Sequence, residues 1–268
     1  MLATPDPFGR RSLLAGFGDA IRAEFCKLRS VRSTYWTLVA ALVFNVAFAA
    51  LEAIFLPGRL SDHDKATLDA VRVSLGGSHL SQIAFGVLGV LVITSEYTTG
   101  MIRVTFAAEP RRRHVLAAKA IVFATTALVV GIAASFAAYF AFQGLLRGDS
   151  LRSSINDPGV VRALIGGGLY LAMLGLLGLG LGAIIRSSAG TIAALFSLLF
   201  VPQVLVQLLP ETWKTTIGPY VPMEAGSQIF SQHHEPGALT PWTGFGIFSL
   251  YAIAALVAAF VLIDHRDA

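Results

Sequence analysis

Long apolar stretches alternate with short polar ones along this chain. Six of them, at about residues 35–56, 79–96, 115–143, 162–185, 189–209 and 243–263, each approach or exceed the roughly 20 mostly apolar residues that a helix needs to cross a bilayer core. The pattern predicts an all-α fold, a polytopic membrane protein with six transmembrane helices. An N-terminal arm over 1–34 precedes a transmembrane domain over 35–268. These stretches use up most of the chain and leave no room for a separate soluble catalytic domain.

Periodicity changes ahead of the first stretch. Over residues 13–32, Leu14, Phe17, Ile21, Phe25 and Leu28 recur every three or four positions, with Asp19, Arg22, Glu24, Lys27 and Arg29 on other faces. This predicts an amphipathic helix, either lying in the membrane interface or facing solvent on its polar side. The single cysteine, Cys26, falls within it and is expected to be buried. The basic N-terminus is not followed by an apolar core and a small-residue cleavage site, so no cleaved signal peptide is expected.

The connections differ in character. Residues 57–78, with Asp62, His63, Asp64, Lys65 and Asp69, suggest a solvated loop or short helix, and 144–161 reads as a plain loop. Residues 210–241 carry five prolines among apolar positions, which suggests an outer re-entrant loop with a short helix after Pro222. Thirteen of the 20 lysines and arginines fall on one side when the N-terminus is placed inside. By the positive-inside rule both termini are expected in the cytoplasm, with segment 96–119 on the same side.

Composition agrees with the pattern: 55% of the 268 residues are hydrophobic and only 13% charged. Within the stretches, the fourth is rich in glycine, and Gly178 and Gly182 form a small-xxx-small pair suited to close helix packing, within the chain or between protomers. The fifth contains Pro202, expected to kink the helix, near Phe200, Gln203 and Gln207. Those three residues are candidates for lining a pathway, although hydrogen bonding between helices would use the glutamines equally well.

Catalytic constellations are missing. Ser78 and His79 are adjacent, so on a helix they point about 100° apart and cannot form a dyad. The run His233-His234-Glu235 lacks the spacing that puts metal ligands on one helical face. Charge inside the apolar stretches is scarce; Glu52 is the one carboxylate well within them, and Glu96 and Lys119 fall at their ends. An ion-driven carrier would keep such groups on its route. An external energy source is implied, yet the chain has no GxxxxGK[ST] phosphate loop. No enzymatic activity, cofactor, metal or nucleic-acid partner is expected of this chain itself.

Segment 96–119 then stands out. Met101, Ile102, Val104, Thr105 and Phe106 are too apolar to sit bare beside Arg111, Arg112 and Arg113, and they call for a partner surface. Glu96, Gly100, Phe106, Pro110, Arg112 and Lys119 fall at places matching the end of the second span, the short helix and the return proline of the membrane domain of type-2 ABC exporters. The chain resembles that family over essentially its whole length, and Glu24 to Leu38 looks like the arm and first span of its actinobacterial members. Met101 stands where the family usually has threonine, and Ala107-Ala108-Glu109 replaces a more apolar run.

The resemblance implies a permease subunit in a bacterial plasma membrane that exports a hydrophobic or amphipathic substrate such as a drug, antibiotic, peptide or lipid. It implies a cytoplasmic coupling helix at about 99–108, docked on a separate ABC ATPase that binds ATP and magnesium, and a second permease copy or paralogue. The ATPase-coupling residues would be Glu96, Gly100, Met101, Arg103, Val104, Phe106, Pro110 and Arg112. The three arginines suit either anionic headgroups or the ATPase. A membrane-embedded scaffold that docks a cytoplasmic partner without transport is the alternative.

Overall fold

The computed structural model describes residues 13–61, 63, 68–109, 111–146, 148, 151–232 and 237–265. Pro110, the His233–Glu235 run, and basic residues such as Arg10, Arg11 and Arg266 lie outside them.

The described residues form helices joined by short turns. In chain order these are α1 (Leu13–Ser30), α2 (Arg32–Phe55), α3 (Ala70–Ser74), α4 (Ser78–Thr98), α5 (Met101–Ala108), α6 (Arg112–Leu145), α7 (Val160–Ile185), α8 (Ser188–Gln207), α9 (Glu211–Ile217), α10 (Pro222–Ser227) and α11 (Pro241–His265), with two 3₁₀ turns flanking α10. Six of them, α2, α4, α6, α7, α8 and α11, are long and apolar enough to cross a membrane. The fold is therefore all-α and multi-pass; α4, α6 and α11 extend about two residues beyond the apolar stretches that predicted them at one or both ends, whereas α8 stops at Gln207, two residues short of its stretch.

Helix α7 is the centre of the bundle and packs against α4, α6 and α11. Its glycines make this possible. A Cβ on Gly89 of α4 would fall 2.0 Å from the carbonyl oxygen of Gly175, and one on Gly178 would fall 2.7 Å from that of Gly86. The two backbones touch, so these glycines serve packing inside the chain. Above this crossing, Tyr170 lies between Phe230 and Phe248 and donates its hydroxyl to Gln82 Oε1 at 2.6 Å. A buried aromatic hydroxyl needs such a partner.

The expected helix after Pro222 is α10, a short buried element packed against α8 and α11, with its following 3₁₀ turn on α7. Of the solvated loop or short helix predicted over 57–78, residues 70–74 form the short helix α3, and it is packed rather than solvated. Val71 and Leu75 are fully buried. Asp69 caps α3 through Arg72 N and also accepts from Gln232 N at 2.6 Å, tying this connection to the one after α10. The alternation of charge in 57–69 hid an apolar turn that the bundle covers.

Segment 96–119 is less of a loop than its polarity suggests. Helix α6 begins at Arg112 and runs for 34 residues, about 50 Å at 1.5 Å per residue. That exceeds a bilayer core of about 30 Å, so charged first turns belong to a helix that overshoots the apolar layer.

Candidate functional site

Three short elements meet at one end of the bundle: α1, the close of α4, and α5 with the first turns of α6. Val31 alone separates α1 from α2, with extended backbone (φ −83, ψ 102) that turns the chain sharply. Gly100 alone of its stretch has the left-handed conformation (φ 72) that sets α5 off from α4, a backbone state glycine adopts without cost from a Cβ.

Glu24 and Lys27 sit on one face of α1, three residues apart. That face turns inward. Lys119 of α6, only 2% exposed, donates to Glu24 Oε2 at 2.6 Å and to Glu96 Oε1 at 2.8 Å. Lys27 donates to Glu24 Oε1 at 2.8 Å, to Glu96 Oε1 at 3.0 Å and to Thr105 Oγ1 of α5 at 3.5 Å. Two carboxylates and two ammonium groups thus form a neutral cluster joining α1, α4, α5 and α6. Desolvation of such charges is repaid only when geometry and partners are good, and here nearly every donor and acceptor is engaged. Burial opposes charge on Lys27, but hydrogen bonds and attraction from Glu24 and Glu96 outweigh it and raise its pKa above the ordinary lysine value.

This cluster revises the reading of scarce charge. Glu96 and Lys119 do lie at span ends, but both are buried, and Glu24 joins them from outside the spans. It also revises α1, whose inward face holds Glu24 while Phe25 and Cys26 are exposed on the other side. The expected burial of Cys26 is not what occurs: among the described side chains of α1 the most buried is a carboxylate, Glu24, because α6 supplies a lysine there.

Helix α5 divides by face. Ile102 is buried and Phe106 is half-buried, its ring covered by the Arg112 guanidinium at 5.3 Å. Met101 and Val104 are 51% and 69% exposed, and Arg103 is exposed beside them. Between α1 and α5 lies a groove of about 530 Å³ with Gly16, Ala20 and Ala23 on one wall and Met101, Val104 and Thr105 on the other. Arg112 donates to the carbonyl of Ile263 at 3.3 Å and Arg113 pairs with Asp264 at 2.5 Å, so two of the three arginines hold the end of α11. Arg111 is exposed.

The geometry at this end is a six-span bundle with a short, half-apolar helix braced outside it. Residues 20–203 match the family described as ABC-2 family transporter protein. The chain belongs to the ABC-2 transporter family. Membership makes it a transmembrane subunit of an ABC transporter and implies association with an ABC ATPase. No curated protein matches the chain.

The matched region of this ABC-2 permease includes the four-charge cluster, α5 and the α4–α7 crossing, and it ends within α8. There the helix runs through Pro202; Gln203 is half-buried, Gln207 exposed, and Phe200 stacks on Phe196 at 5.8 Å. These three residues lie far along the chain from the cluster. Sequence reading singled out Glu96 and saw Lys119 as a span end but missed Glu24 and Lys27 as their partners. The available signal was an E-x-x-K pair on one helical face immediately before a span.

Proposed function

We propose that this chain is the permease subunit of an ABC exporter, with α5 as its coupling helix and a separate cytoplasmic ATPase docked on α5 and the α1 groove. The observation that carries this reading is the exposure of Met101 and Val104 on an eight-residue helix that the charge cluster and Ile102 hold firmly from behind. An apolar surface on a rigid support suits a partner that pushes against it. ATP binding and hydrolysis, with magnesium, belong to that partner. Its closure would move α5, and the cluster would pass the displacement to α1, α4 and α6 together.

Two permease copies, or one and a paralogue, would enclose the pathway for a hydrophobic or amphipathic substrate, with both termini cytoplasmic. Phe106 is turned toward Arg112, so Met101 and Val104 are the better targets for a test. The double change Met101→Asp and Val104→Asp should abolish co-purification of the partner ATPase and transport, while the protein still inserts and extracts as a folded species. Retention of both activities in that variant would refute the coupling assignment. Retained ATPase binding with no transport of any compound by the unmodified complex would favour a scaffold instead.

A further inference from the structure

Helix α1 turns three different sides to its surroundings. Glu24 and Lys27 face the charge cluster, and Gly16, Ala20 and Ala23 face the groove shared with α5. At about 100° per residue, Phe25 lies about 160° round from Ala23 and Arg29 about 180° round from Ala20, so both point away from the groove. Phe25 is 52% exposed, and Arg22 and Arg29 are exposed before and after it along the helix.

This third side adjoins the membrane interface. Val31 alone joins α1 to α2, which has 24 residues. At 1.5 Å per residue that is about 36 Å, more than a bilayer core of about 30 Å, so the first turn of α2 stands at headgroup depth. Arg32, Tyr35 and Trp36 are exposed there, the two rings in edge contact, as suits aromatics at that depth. Arg22, Arg29 and Arg32 make no hydrogen bond or ion pair among the described residues. Asp19, exposed one turn before Arg22, lines the groove, and Glu24 is buried against Lys119 and Lys27. A bare ring between unpaired guanidiniums suits a lipid leaflet: the ring enters the acyl boundary while the arginine stems reach back to phosphates.

We propose that the side of α1 opposite the groove, with Arg32 at the start of α2, is a docking surface for anionic phospholipid, Arg22, Arg29 and Arg32 taking phosphate heads and Phe25 the acyl boundary. A zwitterionic head offers the same phosphate but carries its own cation, so unpaired arginines favour the head with net negative charge. The surface stands whether or not the complex exports anything.

The test uses the purified permease, without ATPase, in nanodiscs of phosphatidylcholine. An environment-sensitive fluorophore is attached to the native Cys26 or, in a Cys26→Ser background, to Phe25→Cys. It is quenched by tracer spin-labelled phosphatidylglycerol, by spin-labelled phosphatidylcholine, or by aqueous iodide. Position 25 should respond to the lipid-borne quenchers and position 26, about 100° round the helix, to iodide. At position 25, half-quenching should need about fivefold less phosphatidylglycerol than phosphatidylcholine, the factor that one arginine supplies near an anionic surface. Arg22→Gln with Arg29→Gln should abolish that preference with thermal unfolding unchanged, and Arg22→Lys with Arg29→Lys should keep it. Equal quenching by the two lipids, iodide reaching position 25 as readily as 26, or a preference that survives the glutamine changes would overturn the assignment. So would displacement of the lipid quencher from position 25 by added ATPase, which would give this side of α1 to the protein partner.

Discussion

Lys119 Nζ lies 2.6 Å from Glu24 Oε2, linking residues 95 positions apart in a pocket where neither reaches solvent freely. The pair ties the helix before the first span to the helix of the third, and Glu96 closes the triangle from the second. A neutral side chain at position 119 would leave two buried carboxylates sharing the single, partly solvated ammonium of Lys27. Lys119→Met should therefore destabilise the protein by about 3–5 kcal/mol, and Lys27→Met by less because its ammonium is partly solvated. Denaturant unfolding in micelles of the two variants checks this order, and equal losses would contradict it.

The α4–α7 crossing gives a sharper contrast. Gly89→Ala places a methyl 2.0 Å from the Gly175 carbonyl and must push the helices apart, at a cost of about 1–3 kcal/mol. Gly246 of α11 has nothing within 4 Å of an added Cβ, so Gly246→Ala should be neutral or stabilise by up to about 1 kcal/mol. Thermal midpoints of the two alanine variants measure the difference, and similar midpoints would refute the close approach.

Alkaline pH should separate Lys27 from the rest of the cluster. Its folded-state pKa is raised above the ordinary 10.5, so its contribution is full below the unfolded value and is lost as pH rises through the raised one. The stability difference between wild type and Lys27→Met should stay constant from about pH 7 to pH 10 and shrink above it. A difference that grew with pH would reverse the sign and exclude the ion pairing.

The one cysteine of the chain, Cys26, is exposed on α1. With α1 at the cytoplasmic face, a membrane-impermeant maleimide should label it in inside-out vesicles and leave it unmodified in intact cells. The opposite pattern would invert the orientation and remove α5 from the reach of a cytoplasmic ATPase.

The six spans and the amphipathic helix before them were legible in the linear pattern, because apolar length and a 3.6-residue period are local properties that a bilayer enforces on any chain; the short helix, expected at about 99–108, came only from the family resemblance. The resemblance carried by Glu96, Gly100 and Lys119 was legible for the same reason: it lies within 24 consecutive residues. Whether Gly178 packs within the chain, which face of α1 turns inward, and whether Phe106 or Val104 of α5 stays open were decided only by tertiary structure. Each depends on which helix arrives opposite, and pairings such as Glu24 with Lys119 leave no periodic trace. Four charges flanking apolar stretches look like scattered span ends in one dimension; three-dimensional packing makes them one neutral, buried joint, because burial is tolerable only when their charges meet.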